Sequence, residues 1–132
     1  MACVRRTAAQ YGITEDTWAT AKQQVRSVIL RAAYERRMTW HAEIADRVDA
    51  VSLDPASSLI NDLLAAVFAD EYATGGPALT SIVTVSYGDL EPNSAFYTSA
   101  RDLGYRFTEP FTFWTEEVHK VFAEHGRPEG RR

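Results

Sequence analysis

The chain has 132 residues, is 45% hydrophobic with three Trp, six Tyr and six Phe, and carries a formal net charge of −4. That length suits one domain and excludes two independent cores, and no apolar run approaches the ~20 residues of a membrane-spanning helix. The lone Cys3 excludes an internal disulfide and a paired-cysteine zinc site.

Taken in chain order, residues 1–13 and 127–132 read as tails around a single domain over 14–126. The start, Met1-Ala2-Cys3-Val4-Arg5-Arg6, has no apolar stretch behind its arginines, which argues against a secretion signal and for a cytoplasmic setting. Thr14 is an N-cap for a first helix over Glu15 to Arg36. Trp18, Ala21, Val25, Val28, Ile29 and Ala32 recur on it at helical spacing as one apolar stripe. Lys22, Arg26 and Arg37 flank that stripe, with the apolar Leu30 among them on a side expected to face water.

Thr39-Trp40 forms a short extended segment before a helix over His41 to Val48. Asp54-Pro55 then signals the start of a third helix. Leu59, Ile60, Leu63, Leu64, Val67, Phe68 and Tyr72 are its buried stripe, and Gly75-Gly76-Pro77 ends it. Residues 78–86, rich in β-branched side chains and bounded by turn residues, predict a strand. Its partner is expected at Thr39-Trp40, at Tyr87 to Leu90, at Tyr105 to Thr108 or on another chain, because strand backbone groups need pairing. A short helix follows over Ser94 to Leu103, stopped by Gly104. The last helix, Pro110 to His125, has Phe111, Trp114, Val118, Val121 and Phe122 on its buried side and Phe113 on the opposite side. The fold class is α+β, helix-rich, with about five helices and a small sheet.

Charge is unevenly distributed along this order. Residues 1–47 carry eight Lys/Arg against five acids, whereas residues 48–100 carry no Lys or Arg and seven acids: Asp49, Asp54, Asp62, Asp70, Glu71, Asp89 and Glu91. The third helix and the strand therefore present an acidic surface in this reading, and Lys22, Arg26, Arg36 and Arg37 a basic one.

The order helix, short strand, short helix, longer helix, strand resembles a winged helix-turn-helix. Met38-Thr39-Trp40-His41-Ala42-Glu43-Ile44-Ala45 is similar to the threonine–aromatic–x–x–acidic–aliphatic–alanine entry to the second helix of such domains, for example in alkyltransferase-like repair proteins. Gly76 to Val83, with Pro92, Phe96 and Leu103-Gly104 beyond it, resembles a pattern in bacterial and phage proteins of no established activity. The resemblance implies a winged-helix-like fold. It does not bring alkyl transfer with it, since Ala78-Leu79-Thr80-Ser81 stands where those proteins place their active-site run. A third helix without a cation also lacks what neutralises DNA phosphates.

No residue pattern amounts to a catalytic or metal site. His41-x-Glu43 begins a zinc-deaminase signature but lacks its cysteine pair. Glu116-x-x-His119 has the spacing of a carboxylate-bridged metal site without the second pair such sites need. Ser94, Thr98 and Ser99 have no His nearby in sequence, and no glycine-rich phosphate loop is present. The expectation is a binding domain without cofactor or metal that docks a protein partner, or a second copy of itself, as a regulatory or accessory protein. Asp62, Asp70, Glu71, Asp89 and Glu91 are its candidate acidic contacts, and Leu30 and Phe113 its candidate apolar ones. The alternative is a DNA-binding transcriptional regulator using Lys22, Arg26, Arg36 and Arg37, and a small enzyme comes third.

Overall fold

Helix α1 (Glu15–Tyr34) starts where Thr14 turns its side chain back to accept the Thr17 amide at 3.1 Å, satisfying one of the free first-turn donors. It ends two residues earlier than its pattern suggests. Arg36 takes a left-handed conformation (φ 58°), and the Arg37 amide donates to the Ala32 carbonyl at 3.0 Å. This closure is ordinarily built on glycine, so nothing in the sequence marks it.

The computed structural model describes residues 8–128. After α1 come strand β1 (Thr39–Trp40), helix α2 (His41–Arg47), helix α3 (Ser58–Ala73), a 3-10 turn at Leu79–Ile82, strand β2 (Val83–Thr84), helix α4 (Ser94–Leu103) and helix α5 (Pro110–His125). The two strands pair in parallel, Thr39 with Val83 and Trp40 with Thr84. Among the described residues this is a helix-rich α+β architecture with one small sheet.

Two elements depart from their expected bounds for identifiable reasons. Asp54-Pro55 closes a turn instead of opening α3. The Asp54 carboxylate accepts the Ala56 amide at 2.8 Å and its carbonyl accepts the Ser57 amide at 3.0 Å, so the helix begins at Ser58. The expected strand over 78–86 narrows to Val83–Thr84, because its first half winds into the 3-10 turn and its end leaves the sheet. Residues 78–84 are all buried, so the β-branched composition reports burial rather than a long ladder. The only strand beside it in the sheet is two residues long.

The core falls into two packed groups. The larger joins α1, α2, α3 and the 3-10 turn through Val25, Ile29, Ile44, Ile60, Leu63, Leu79 and Ile82, with Val121 of α5. The smaller is aromatic: Phe68, Phe96, Phe113 and Trp114, with Tyr97, Tyr105 and Phe107 against them. Phe113 therefore points inward, 8% exposed and stacked on Phe107 at 4.3 Å, whereas Phe111 is 48% exposed. That inverts the expected facing of this pair. The segment Tyr105 to Phe107 explains it, since it covers the side of α5 that a helical pattern alone assigns to water. Tyr72, expected inside, is 42% exposed.

Residues 8–13 do not behave as a tail. Ala8 is buried, Tyr11 stacks on Trp18 at 6.4 Å, and its hydroxyl donates to Asp62 at 2.5 Å. At the other end the Arg127 amide donates to the Tyr34 carbonyl at 2.9 Å. Arg5, Arg6 and the rest of both expected tails (1–7 and 129–132) lie outside the described residues. Phe113→Ala should lower stability by about 3–5 kcal/mol, and Phe111→Ala by about 1 kcal/mol or less. Urea unfolding of the two variants checks this, and equal costs would contradict the inward position of Phe113.

Candidate functional site

Helices α1 and α3 pack side by side, and two oppositely charged pairs expected on separate surfaces meet across that seam. Lys22 Nζ lies 2.9 Å from Asp70 Oδ2, and Arg26 Nε lies 2.6 Å from Glu71 Oε2. Glu71, expected to face outward, is only 7% exposed, because it sits where α1 covers the last turns of α3. Arg36 Nε donates to the Arg127 carbonyl at 2.8 Å, and Arg37 binds Glu35 and Glu43. The four candidate nucleic-acid cations are thus engaged within the fold. Leu30 is half-buried against the main core rather than standing out from it. Asp89 and Glu91 lie elsewhere, on the loop after β2. Glu71→Gln leaves Arg26 partly buried without its partner and should cost about 1–3 kcal/mol. The double variant Arg26→Met/Glu71→Leu should recover most of that loss in chemical denaturation.

A second ionic cluster fixes the start of β1. Glu35 accepts from Arg31 Nε at 2.7 Å and Arg37 Nε at 2.8 Å, and these hydrogen bonds hold its carboxyl down at about 2. Arg37 reaches on to Glu43 at 3.0 Å and to the Met38 carbonyl at 3.1 Å. Its bonds to Glu43 and Glu35 raise its pKa and keep it charged. Burial pushes Glu43 up, but its hydrogen bonds from Arg37 and Thr39 outweigh that and leave it lowered. The cluster locks the two residues before Trp40 and the helix after it.

Trp40 and the loop after β2 form a further surface, which charge patterns marked only through Asp89 and Glu91. The Trp40 and Tyr87 rings lie 4.8 Å apart at 63°, packed edge to face as an aromatic corner. Tyr87 is 79% exposed, Leu90 68% and Val85 41%, a concentration of apolar side chains on one short loop. The loop is shaped from within. The Ser86 amide donates to Asp89 Oδ2 at 3.0 Å, the Asp89 amide returns to the Ser86 carbonyl at 3.1 Å, and Gly88 takes φ 90° between them. Thr84 Oγ1 donates to the Ser86 carbonyl at 2.9 Å, tying the loop to β2, and the Tyr97 hydroxyl donates to Glu91 at 2.6 Å. A groove of about 540 Å3 runs beside the corner, lined by Arg37, Met38, Trp40, Glu43, Thr84, Tyr87, Gly88 and Asp89. The sequence did carry a signal for it. Tyr87 and Leu90 are large apolar residues inside a turn-forming run with Gly88, Asp89 and Pro92.

His41, next to Trp40 in sequence, is 5% exposed, with Nδ1 3.3 Å from the Pro55 carbonyl. Burial lowers its pKa, so it stays neutral and donates that proton to the carbonyl. Glu116 and His119 are exposed on α5, and no group of three metal-ligating side chains occurs among the described residues. No helix among the described residues is long and apolar enough to cross a membrane. No family model matches the chain, and no curated protein and no solved structure matches it.

The lowered pKa of His41 sets a sign for pH dependence. The folded state binds this proton less readily than the unfolded one, so His41 costs no stability above the usual histidine value near 6.5 and weakens the fold as pH falls below it. His41→Gln should therefore flatten the loss of stability between about pH 7 and 5, which thermal unfolding across that range measures.

Proposed function

We propose that this protein is a non-enzymatic binding module, a regulatory or accessory domain that docks a protein partner on the face formed by Trp40, Val85, Tyr87 and Leu90, with Asp89 and Glu91 at its edge. The observation that carries this reading is the exposure of three large apolar side chains on one internally hydrogen-bonded loop beside the Trp40 ring. Exposed apolar groups held in a fixed shape lose little freedom on binding, and the aromatic pair is the kind of anchor that dominates interfaces. The order α1, β1, α2, α3, β2 supports a winged-helix-like scaffold as the frame, and the parallel pairing of β2 with β1 places the loop beside Trp40.

The acidic contacts of this reading reduce to Asp89 and Glu91, since Asp62, Asp70 and Glu71 serve inside the fold. A DNA-binding regulator working through Lys22, Arg26, Arg36 and Arg37 has weaker support. Phosphate neutralisation needs cations that are not already paired or tied.

Used as bait in extract of its own source, the wild-type chain should retain one discrete protein, and Tyr87→Ala/Leu90→Ala should lose at least tenfold of it while keeping the wild-type melting temperature. Asp70→Asn, on the α1–α3 seam, should retain it. Undiminished retention by the double variant would remove this face from the interaction. Salt-sensitive binding of duplex DNA by the wild type, lost on Arg26→Glu/Arg36→Glu, would favour the regulator reading instead.

A further inference from the structure

The groove beside the corner is specific enough in its chemistry to define what enters it. Trp40 and Tyr87, packed edge to face at 63°, both line it, and the π faces of such rings are electronegative. The charges around it add to that bias. Arg37 lines the groove, but its charge is balanced by Glu35 at 2.8 Å and Glu43 at 3.0 Å, and Nε and Nη1 are both used. Asp89 also lines the groove, and its Oδ2 alone is taken, by the Ser86 amide, so Oδ1 is left to accept from outside the chain. Glu91 lies two residues further along the same exposed loop. No Lys or Arg occurs anywhere from residue 48 to residue 100, so no cation from this loop competes for the groove.

Resting on the protein-docking reading above, we infer that the Trp40–Tyr87 corner is a receptor for an arginine side chain of the partner. The guanidinium lies against the aromatic rings and donates to Asp89, while its methylene stem runs over the exposed apolar loop. A guanidinium fits this setting better than an ammonium. It is flat, stacks on rings, is weakly hydrated and offers paired donors to a carboxylate, whereas an ammonium holds its water shell more tightly. A purely apolar side chain would leave the Asp89 oxygen without a donor.

The test titrates the full chain with N-acetyl-arginine-N-methylamide and follows the Trp40 indole N–H by NMR, with the citrulline analogue as the uncharged isostere. The arginine compound should shift that signal saturably and the citrulline compound should not. Tyr87→Ala and Asp89→Asn should each weaken the response about fivefold, the loss of one cation–π or charge-assisted contact. Tyr87 is largely exposed, so its variant should keep the wild-type amide spectrum. Equal shifts from both compounds, or equal binding by the lysine analogue, would overturn the arginine assignment. An unmoved Trp40 signal would overturn it too, while retention of a partner through Tyr87 and Leu90 would leave the docking reading standing. Dimerisation of the chain in sedimentation, abolished by Tyr87→Ala, would overturn it by making a second copy the occupant.

Discussion

The whole arrangement depends on a constraint at the middle of the chain: residues 78–84 run through the interior with every side chain buried, so their backbone polar groups must find partners there. Helix α5 and strand β1 supply several of them. The Ala78 amide donates to the buried Glu117 of α5 at 3.0 Å, and Trp114 on the same helix donates its indole N–H to the Ser81 carbonyl at 2.7 Å. Val83 and Thr84 take theirs from β1. A carboxylate at 3% exposure is costly to bury unpaired, and Lys120 at 2.9 Å completes its set. Helix α5 is therefore held to the centre by hydrogen bonds as well as by Trp114 and Val121 packing.

The same economy governs the charges. An acidic middle and a basic first helix look like two surfaces when read along the chain, but α1 and α3 turn them toward each other. Lys22 and Asp70 are separated by nearly fifty residues in sequence and by 2.9 Å in space. Solvated pairs of this kind contribute little stability. The more deeply placed Arg26–Glu71 pair fixes how the two helices align, because a slip of one turn would strand a buried carboxylate.

Much of the fold was legible in the residues, and the exceptions have physical causes. α4 and α5 begin and end where their sequence signals place them, with Asn93 capping one and Gly104, left-handed at φ 109°, closing it. The α1 stripe is buried from Ala21 to Ala32 as its spacing requires, with Trp18 half-buried at its start. What failed needed tertiary knowledge. Phe113 lies inside because Phe107 and Tyr105 cover it, and Leu79–Ile82 winds into a turn because burial, not pairing, selected its side chains. The candidate surface was half visible. Asp89 and Glu91 were read from charge, whereas the Trp40–Tyr87 contact joins segments that only the fold brings together.

That joining has a consequence for how the molecule assembles. Helices such as α1 and α3 form from contacts within themselves, but the β1–β2 ladder pairs Thr39 with Val83 and must close the intervening chain first. The aromatic corner stands directly on that ladder, so it is missing from any partly folded species in which the ladder is open. No fragment ending before β2 carries it. The candidate surface is thus conditional on long-range closure, and an unfinished chain does not display it.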